Sequence, residues 1–444
     1  MQNVAEIVHQ RIERRPVVVS SACSGVTNVL LSMARTALTD VEKSLSAVET
    51  LRSRHLKIID DMFKGAQRDD LHGRIGMMMD QLRELSRSIA ILGELTNRSL
   101  DTFASFGERL STAILTQVLI ARGMRAVLVD AGEVIITSDD FTRAIPLFDE
   151  ITPRARRLIA EPILAGQVVV TQGFLGATRK GIPTTIGRGG SDYSAAIFGA
   201  AIDAEEIQIW TDVDGMMTSD PSRIPTAQLI PEMTFREAAE LAYFGAKVLH
   251  PSTIIPAVQK NIPVRILNSK RPQVQGTVIV ATPSRLDTRA IKSIANKRGI
   301  ILVTITSTRM LMMHGFLARV FEIFARYERS VDVIATSEVS ISLTLDSEEH
   351  LDDIINELKQ VADVDIERGK AIFCVVGENL RRSNGVLSLL FSALEDNKIP
   401  VSMISLGASE INVTFVVDGT DVDRTANILH EVFFENGNLK GKIG

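Results

Sequence analysis

The sequence predicts an α/β fold with a mainly parallel central sheet, followed by two smaller α+β domains. Up to about residue 280, apolar strand-like runs alternate with long helical patterns, as expected for strands joined by helical crossovers. Beyond residue 290 the strand-like runs become shorter and alternate with single helices. A pattern in this second part also recurs, because Ser337–Glu338 is repeated as Ser409–Glu410, 72 residues later.

Length and composition restrict the class of protein. A chain of 444 residues suggests roughly two to four domains, and 45% hydrophobic with 23% charged residues is typical of globular proteins. No apolar run approaches the roughly 18–20 residues that cross a bilayer, and residues 1–16 lack the apolar core of a signal peptide. Two cysteines, Cys23 and Cys374, exclude a disulfide framework. We therefore expect a cytoplasmic protein without a membrane partner and, given a net charge of −5 and no basic cluster, without a nucleic-acid partner.

The first part of the chain begins with a strand-like run at residues 17–28, which ends in a polar turn containing glycine. Helical patterns rich in Leu, Ile and Met follow from about 28 to 122. Four further strand-like runs are separated by helical segments and lie at 125–131, 167–174, 207–215 and 263–269. The polar, proline-containing segment 282–290 is typical of a linker.

The most informative segment is TTIGRGGSD, residues 184–192, which lies between a strand-like run and the helical run 193–202. Its three glycines permit a tight turn, and Ser191 and Asp192 are suited to cap the following helix. Free N–H groups at a helix N-terminus bind phosphate, and Arg188 adds a planar fork that matches carboxylate or phosphate. An ordinary glycine turn is the alternative interpretation. The chain contains no Walker A sequence.

The recurring pattern covers residues 315–346 and 385–418. Each copy is predicted to form strand, helix, strand, strand, helix and strand, which is the order of a ferredoxin-like α+β sandwich. A period near 70 residues is too long for a solenoid, so two copies of a small domain are the better explanation. Coincidence between two amphipathic patterns is the alternative.

Several motifs, taken together and in order, resemble those of the aspartokinases in the amino-acid kinase family. The motifs are SSACSGVTN (20–28), FGERLS (106–111), TTIGRGGSDYSA (184–195), IWTDVDG (209–215), ELAYFGAKVLHP (240–251) and SVDVIATSEVSISLTLD (330–346). The last of these is most similar to the monofunctional, lysine-sensitive class. The resemblance implies an amino-acid-kinase-like sandwich followed by two ACT domains, the amino-acid-sensing modules of this family.

The resemblance also implies the domain boundaries. Residues 1–283 would form the kinase domain. Residues 284–370 would contain the linker, the first strand of the second ACT domain at 291–297, and the first ACT domain at 299–370. Residues 371–444 would complete the second ACT domain and the tail.

The family reaction transfers the γ-phosphoryl group of ATP to the side-chain carboxylate of L-aspartate. That carboxylate has a pKa near 4 and is already ionised at neutral pH, so the reaction needs no general base. This agrees with a chain in which no His–carboxylate or Ser–His arrangement is evident. What the transfer requires is positioning and neutralisation of charge. The resemblance therefore implies ATP and Mg2+ as cofactors, with no dedicated metal-binding residue of the protein assigned.

By resemblance, five residues hold the substrate and the transferring group. Arg188 would bind a carboxylate of aspartate through two hydrogen bonds. Glu108 would accept hydrogen bonds from its α-ammonium group, and Ser21 and Thr27 would contact it near the glycine-containing turn. Asp192 would organise the charged groups around the phosphoryl group as a catalytic residue.

The nucleotide is assigned to other residues. Lys247, in FGAKVLHP, would meet the phosphates as a catalytic and cofactor-binding residue, and Thr211 and Asp212 would line the pocket at the end of their strand. Met217 occupies a position where relatives often carry Tyr. Arg223 lies one position after a place where they often carry Arg, and it is expected to substitute there.

Each assignment also has a purely structural interpretation. Glu108 could be a solvated helix residue, Lys247 a surface lysine, and Asp212 a cap of a turn. Ser21 and Thr27 could simply bond their own backbone, as Ser and Thr in turns often do.

An effector site is implied between the ACT domains of two subunits, so we expect a homo-oligomer that assembles through these domains. The expected contacts are Met310, Met313, Gly315, Phe316, Leu317, Asp332, Ser337, Glu338 and Val339. The two acidic residues are suited to a cationic amino acid, and L-lysine is the expected effector. Ordinary core packing is the alternative for Phe316, Leu317 and Val339.

The chain departs from the family pattern at its start. Aspartokinases open with a strand and a KFGGTS-like loop, whereas the first lysine here is Lys43, far from any glycine loop. The segment 1–16 resembles the helix that normally follows that loop, so we expect an N-terminally truncated kinase domain that lacks one central strand and a catalytic lysine. The alternatives are a catalytically impaired amino-acid sensor with a kinase fold, or a kinase for another small carboxylate such as glutamate or acetylglutamate.

Overall fold

The structure is a computed structural model that describes residues 1–187, 189–244, 251–283, 290–307, 314–378, 380, 385–407 and 410–435. The chain divides into two compact units. The first comprises Met1–Asp214 and Ser252–Val280, and the second comprises Gly215–Pro251 and Ala281–Gly444. No helix among the described residues combines the length and the apolar character that crossing a bilayer requires.

Helices occur in both units. They are α1 (Gln2–His9), α2 (Val26–Thr36), α3 (Val41–Asp60), α4 (Gly65–Leu92), α5 (Asn97–Ala121), α6 (Ala131–Val134), α7 (Phe148–Ala155), α8 (Glu161–Leu164), α9 (Gly190–Ala201), α10 (Phe235–Phe244), α11 (Ile255–Lys260), α12 (Phe316–Arg326), α13 (Leu351–Leu358), α14 (Val386–Asp396) and α15 (Val422–His430). A π-helical segment, Arg156–Ala160, joins α7 to α8.

Strands are distributed along the whole chain. They are β1 (Val17–Ser20), β2 (Ala126–Val129), β3 (Ile136–Thr137), β4 (Val168–Gln172), β5 (Leu175–Thr178), β6 (Pro183–Thr185), β7 (Ile207–Thr211), β8 (Glu232–Thr234), β9 (Val264–Asn268), β10 (Thr277–Val280), β11 (Ser293–Thr306), β12 (Ile334–Thr336), β13 (Ser340–Leu345), β14 (Asp363–Val376), β15 (Val401–Leu406) and β16 (Asn412–Asp418).

In the first unit, parallel pairing predominates. Strand β4 lies between β1 and β2 and is parallel to both, with Val169 opposite Val17 and Val127. Strands β7 and β9 are also parallel, and β10 is antiparallel to β9. A smaller sheet contains β3, β5 and β6. All five residues of β4 are buried, as expected for a central strand covered on both faces.

Helices cover both faces of this sheet. Val168 and Val170 pack into a core with α2, α3, α4 and α5, whereas Val169 packs into a second core with α7 and α9. Successive side chains of a strand point to opposite faces, so the alternation along β4 separates the two layers. The predicted helices between about 28 and 122 are therefore the layer on one face, with Asp40 and Thr96 capping α3 and α5.

The second unit contains a six-stranded antiparallel sheet in the order β12–β13–β11–β14–β16–β15. The long strand β11 pairs with β14 from Ser293, opposite Val376, to Thr306, opposite Asp363. Two hydrophobic cores lie along this sheet. One contains Ile294 and Phe373 together with α14 and α15, and the other contains Ile305 together with α12 and α13. This topology agrees with the predicted fold class, a mainly parallel α/β part followed by two smaller α+β parts.

The segment Gly215–Pro251 differs from the expectation that residues 1–283 form one unit. Its apolar side chains Met216, Met233, Leu241 and Phe244 are buried in a core with residues of β11, β14 and β16. This core lies on the sheet face formed by the residues that alternate with those of the other two cores. The segment therefore belongs to the second compact unit because its apolar side chains are buried there. Residues 284–289 of the expected linker lie outside the described residues.

Candidate active site

Several predicted site residues of the first unit lie at or beside the carboxyl ends of its parallel strands. Strand β1 ends at Ser20 and β4 at Gln172, and the N–H of Gly173 donates a hydrogen bond to the carbonyl of Ser20 over 2.9 Å. Gly173 in turn lies against the start of α9, since a Cβ placed on it would be 2.6 Å from Oγ of Ser191. The edge of the sheet where α/β proteins bind ligands thus carries the loop after β1 and the N-terminus of α9.

Helix α5 approaches the loop after β1 closely, and Gly107 is the reason. A Cβ on Gly107 would lie 2.9 Å from Cβ of Ala22 and 3.7 Å from Oγ1 of Thr27. Only a residue without a side chain permits this approach. The same helix also holds the loop through a hydrogen bond, because Oγ of Ser111 donates to the carbonyl of Ser21 over 2.7 Å. The structure therefore brings Ser21 and Thr27 next to the helix that carries the predicted Glu108.

Glu108 is a buried carboxylate with one unused oxygen. The residue is 3% exposed, and its Oε1 accepts a hydrogen bond from the N–H of Ala22 over 3.2 Å. Its Oε2 is buried and has no hydrogen-bond partner among the described residues. Burial raises the pKa of Glu108 to about 7, against the smaller opposing effect of the Ala22 N–H. This oxygen is suited to accept a hydrogen bond from a cationic donor.

Asp192 lies in the first turn of α9. That helix starts after Gly189, whose φ of 67° is in the left-handed region that favours glycine. The carboxyl group of Asp192 is half-buried, and burial raises its pKa to about 6. The N-terminal end of α9 favours negative charge and partly opposes this effect. Arg188, in the loop before α9, lies outside the described residues.

The predicted nucleotide residues Thr211 and Asp212 follow β7 at the same kind of strand end. The carbonyl of Thr211 accepts hydrogen bonds from N and Oγ of Ser269, over 2.8 and 2.9 Å. Beside it, Nδ2 of Asn268 donates to Oδ1 of Asp214 over 2.7 Å. The ends of the parallel strands β7 and β9 are thereby tied together. Among the described residues, the side chain of Asp212 accepts a 3.4 Å hydrogen bond from Oγ1 of Thr211.

Two other predicted nucleotide residues belong to the second unit. The carbonyl of Met217 accepts a hydrogen bond from Oγ of Ser293 over 2.8 Å. The guanidinium of Arg223 is paired with Asp423 at 3.0 Å and lies 3.9 Å from Asp220. All three of these charged side chains are exposed. Lys247 lies outside the described residues.

The predicted effector residues surround the start of α12 and the β12–β13 turn. Gly315 caps α12, Phe316 is 4% exposed within a core, and Leu317 is 42% exposed. The carboxylate of Asp332 accepts hydrogen bonds from the hydroxyl of Tyr243 over 2.8 Å and from Nζ of Lys297 over 3.1 Å. Asp332 is therefore already paired with a cation of its own chain. Phe316 packs in a hydrophobic core, as in the alternative interpretation of this residue as ordinary core.

The turn between β12 and β13 is closed by its own hydroxyl groups. Oγ atoms of Ser337 and Ser340 lie 2.7 Å apart, and the N–H of Ser337 donates to the carbonyl of Ser340 over 2.8 Å. The carbonyl of Val339 accepts a hydrogen bond from the N–H of Ser307, and Glu338 is exposed. Met310 and Met313 lie outside the described residues.

Two buried polar residues near the site were not predicted. The side chain of Gln172 accepts a 2.7 Å bond from the N–H of Ala131 and donates to Oγ1 of Thr112 over 3.1 Å. Asp101 is fully buried in α5, seven residues before Glu108. A polar residue on the apolar face of a helical pattern is the signal that could have identified Asp101.

Comparisons with known proteins agree with this architecture. The description "Amino acid kinase family" matches residues 1–268, and "ACT domain" matches residues 373–433. Aspartokinase 1, chloroplastic, of Arabidopsis thaliana is 40% identical over 99% of this chain and 78% of its own length. Lysine-sensitive aspartokinase 3 of Escherichia coli is 36% identical over 98% of this chain and 96% of its own length.

Solved structures show the same similarity. Crystal structures of E. coli aspartokinase III with aspartate and ADP, and with lysine and aspartate, each have a TM-score of 0.82 and 35% sequence identity. Each match covers 98% of this chain and 96% of the crystallised chain. By sequence and by fold, the chain belongs to the aspartokinases of the amino acid kinase family.

Proposed function

We propose that this protein transfers the γ-phosphoryl group of ATP to the side-chain carboxylate of L-aspartate. The observation that carries the proposal is Glu108, whose buried Oε2 lacks a partner among the described residues beside the loop after β1. An α-ammonium group of the substrate would satisfy this oxygen and would favour the ionised carboxylate. The E. coli structure with aspartate and ADP supports the same substrate and nucleotide.

The roles of the remaining residues follow from charge. The substrate carboxylates and the phosphates are all negative, so transfer requires cations, and Arg188 and Lys247 are proposed to supply them. Among the described residues, no group of three His, Cys, Asp or Glu side chains could hold a metal ion. We therefore propose that Mg2+ enters with ATP, whose phosphates provide most of its ligands. Asp192, at the start of α9, is proposed to orient the cations around the transferring group.

The test is ADP release with ATP, Mg2+ and L-aspartate, with L-glutamate and N-acetylglutamate as competing acceptors. We expect turnover when aspartate is the acceptor and none with the other two acceptors. The variant E108Q keeps the shape of the side chain but loses its charge, and we expect kcat/KM for aspartate to fall about 10²-fold. The exposed variant E94Q serves as the matched control. Lysine binding without turnover under any condition would favour an amino-acid sensor, and preferred turnover of another acceptor would reassign the substrate.

We also propose that L-lysine inhibits the enzyme by binding to the second unit. Relatives of this chain include a lysine-sensitive aspartokinase and an E. coli structure with lysine bound. The two cores along the six-stranded sheet support one ACT domain at 299–370 and a second built from 291–297 and the part of 371–444 that precedes the tail. Association of two chains through these domains is part of the same proposal.

Asp332 provides the test of this regulation, because a lysine ligand would compete with Lys297 for its carboxylate. We expect D332N to raise the lysine concentration needed for half-inhibition about tenfold or more, with kcat unchanged. Asp346, which also pairs with Lys297 at 2.8 Å, offers the matched control D346N. Equal effects of D332N and D346N would show that only the Lys297 network matters. Sedimentation with and without lysine would test the association.

A further inference from the structure

A second buried carboxylate lies in α5 and makes no contact that the phosphoryl transfer requires. Asp101 is 1% exposed and receives three hydrogen bonds from other elements. Its Oδ2 accepts from the N–H of Thr142 over 2.8 Å and from the N–H of Thr185 over 3.0 Å, and its Oδ1 accepts from the hydroxyl of Thr185 over 2.6 Å. The side chain thus joins a helix, a loop and a strand that are far apart in sequence.

Both partners of Asp101 lie close to the start of the glycine loop, the segment that begins at Gly187 after β6. Thr185 is the last residue of β6, two residues before Gly187. Thr142 belongs to the loop after β3 and has a φ of 73°, which is uncommon for a residue with a branched side chain. Its carbonyl is 3.9 Å from the position that a Cβ on Gly187 would occupy. The N–H of Ala144 also donates to the carbonyl of Thr185 over 2.9 Å. Asp101 therefore holds two segments of the chain, the end of β6 and the loop after β3, beside the start of the glycine loop.

Asp101 also shares a rigid element with the proposed substrate ligand. Seven residues separate it from Glu108, so both side chains lie on the same face of α5 about 10 Å apart along its axis. Both residues are buried, and the helix between them contains the close contact at Gly107. One end of this face holds the loop after β1, and the other end holds β6.

We propose that Asp101 is a positioning residue that fixes Thr185 and Gly187, where the glycine-rich segment after β6 begins, relative to Glu108. The proposal rests on the proposed function, since the two positions matter together only if both touch the substrate. Burying a carboxylate is costly unless several donors stabilise it, and here three donors converge on it. A misplacement of about 1 Å at a reacting centre costs about 10²-fold in rate, which is the scale of the expected effect.

Three variants separate positioning from simple stability. D101A leaves the N–H groups of Thr142 and Thr185 without an acceptor. D101N keeps the shape, because its amide oxygen accepts both N–H groups and its NH2 donates to the hydroxyl of Thr185. T116V is the matched control, since Thr116 is buried in the same helix and its hydroxyl donates to the carbonyl of Thr112, its one side-chain hydrogen bond among the residues that the structure describes. The measurements are kcat and KM for both substrates, thermal unfolding, and hydrogen exchange of the amides of residues 142 and 185–190.

For D101A we expect kcat/KM for aspartate to fall about 10²-fold while KM for ATP stays within about twofold of wild type. D101N should recover to within about fivefold of wild type, because no buried donor loses its partner. Exchange at 142 and 185–190 should rise in D101A and not in T116V. The proposal is overturned if D101A changes both substrates equally, or resembles T116V in kinetics and exchange.

The proposed function can fail separately. If the wild-type protein shows no turnover of aspartate, the proposed function is wrong. The hydrogen-exchange measurement then tests the positioning role of Asp101 by itself. Faster exchange confined to 142 and 185–190 in D101A would support it, and unchanged protection there would reject it.

Discussion

Glu108 shows how one side chain can be prepared for a charged ligand. Its burial disfavours the ionised form, and the single N–H of Ala22 compensates only in part, so its pKa rises to about 7. The ionised carboxylate is thus held without a full set of partners, which is destabilising in the free protein. A substrate ammonium group would supply the missing donor and recover that energy on binding.

The first prediction is a pH dependence of aspartate use. Only the ionised form of Glu108 attracts an ammonium group, and in the free enzyme that form becomes fully populated as pH rises above about 7. We therefore expect kcat/KM for aspartate to increase about tenfold per pH unit below pH 7 and to level off above it. E108Q should show a flat profile in this range. The same inflection in E108Q would assign the titration to another group.

The second prediction concerns stability. A carboxyl group with a folded pKa above its unfolded value destabilises the fold as pH rises from about 4.5 to about 7, and the loss is complete above that range. For Glu108 the shift corresponds to roughly 3 kcal/mol at pH 8. E108Q should therefore be more stable than wild type at pH 8 and similar at pH 4, as measured by denaturant unfolding. The exposed variant E94Q should change neither value. Equal stability of E108Q and wild type at pH 8 would contradict this origin of the shift.

At the scale of elements, α5 organises the proposed site. It carries Asp101 and Glu108 on one buried face, and Gly107 allows its backbone to lie against the loop after β1. Ser111 then holds the carbonyl of Ser21. A single continuous helix makes all these contacts. A shift of α5 would therefore displace both the loop after β1 and the glycine loop.

The third prediction is that G107A moves this helix. Its methyl group would lie 2.9 Å from Cβ of Ala22, closer than side chains approach one another, so the loop or the helix must shift. We expect a loss of about 1–3 kcal/mol in the free energy of unfolding and a rise in KM for aspartate. The matched control is G73A in α4, where a Cβ meets no atom within 4 Å, and which should gain up to about 1 kcal/mol. Similar behaviour of the two variants would mean that the close contact is unimportant.

Elements with a local pattern could be predicted from the sequence, and those that depend on distant packing could not. The runs at 125–131 and 167–174 became β2 and β4 because buried parallel strands are continuous apolar segments. Motif resemblance predicted a role for Glu108, whereas Asp101 finds its partners 41 and 84 residues away. Residues 215–251 likewise belong to the second unit because of tertiary packing, which the periodicity of the sequence does not encode.

At the scale of the whole molecule, the chain crosses between the two units at residues 214, 251 and 280. The inserted segment 215–251 is attached to the second unit by a buried ion pair. Nζ of Lys292 lies 3.4 Å from Oε2 of Glu237, and the two side chains are 4% and 0% exposed. Glu237 also accepts hydrogen bonds from N and Oγ1 of Thr234 and from the N–H of Glu378. Together these contacts join the first turn of α10 to the residue just before β11 and to the segment just after β14.

The fourth prediction is that K292M destabilises the second unit as a whole. Removing Lys292 leaves the buried charge of Glu237 without this cationic partner, and breaking such a buried pair costs about 3–5 kcal/mol. Hydrogen exchange should lose protection in α10, β11 and β14 together while α2 to α5 stay protected, since separate units need not unfold in one transition. The double variant K292M/E237Q should recover much of the loss. Lys370 pairs with two half-exposed carboxylates in the same sheet, so the control K370M should cost no more than about 1 kcal/mol. Equal losses in K292M and K370M would show that burial of the pair does not hold the inserted segment in place.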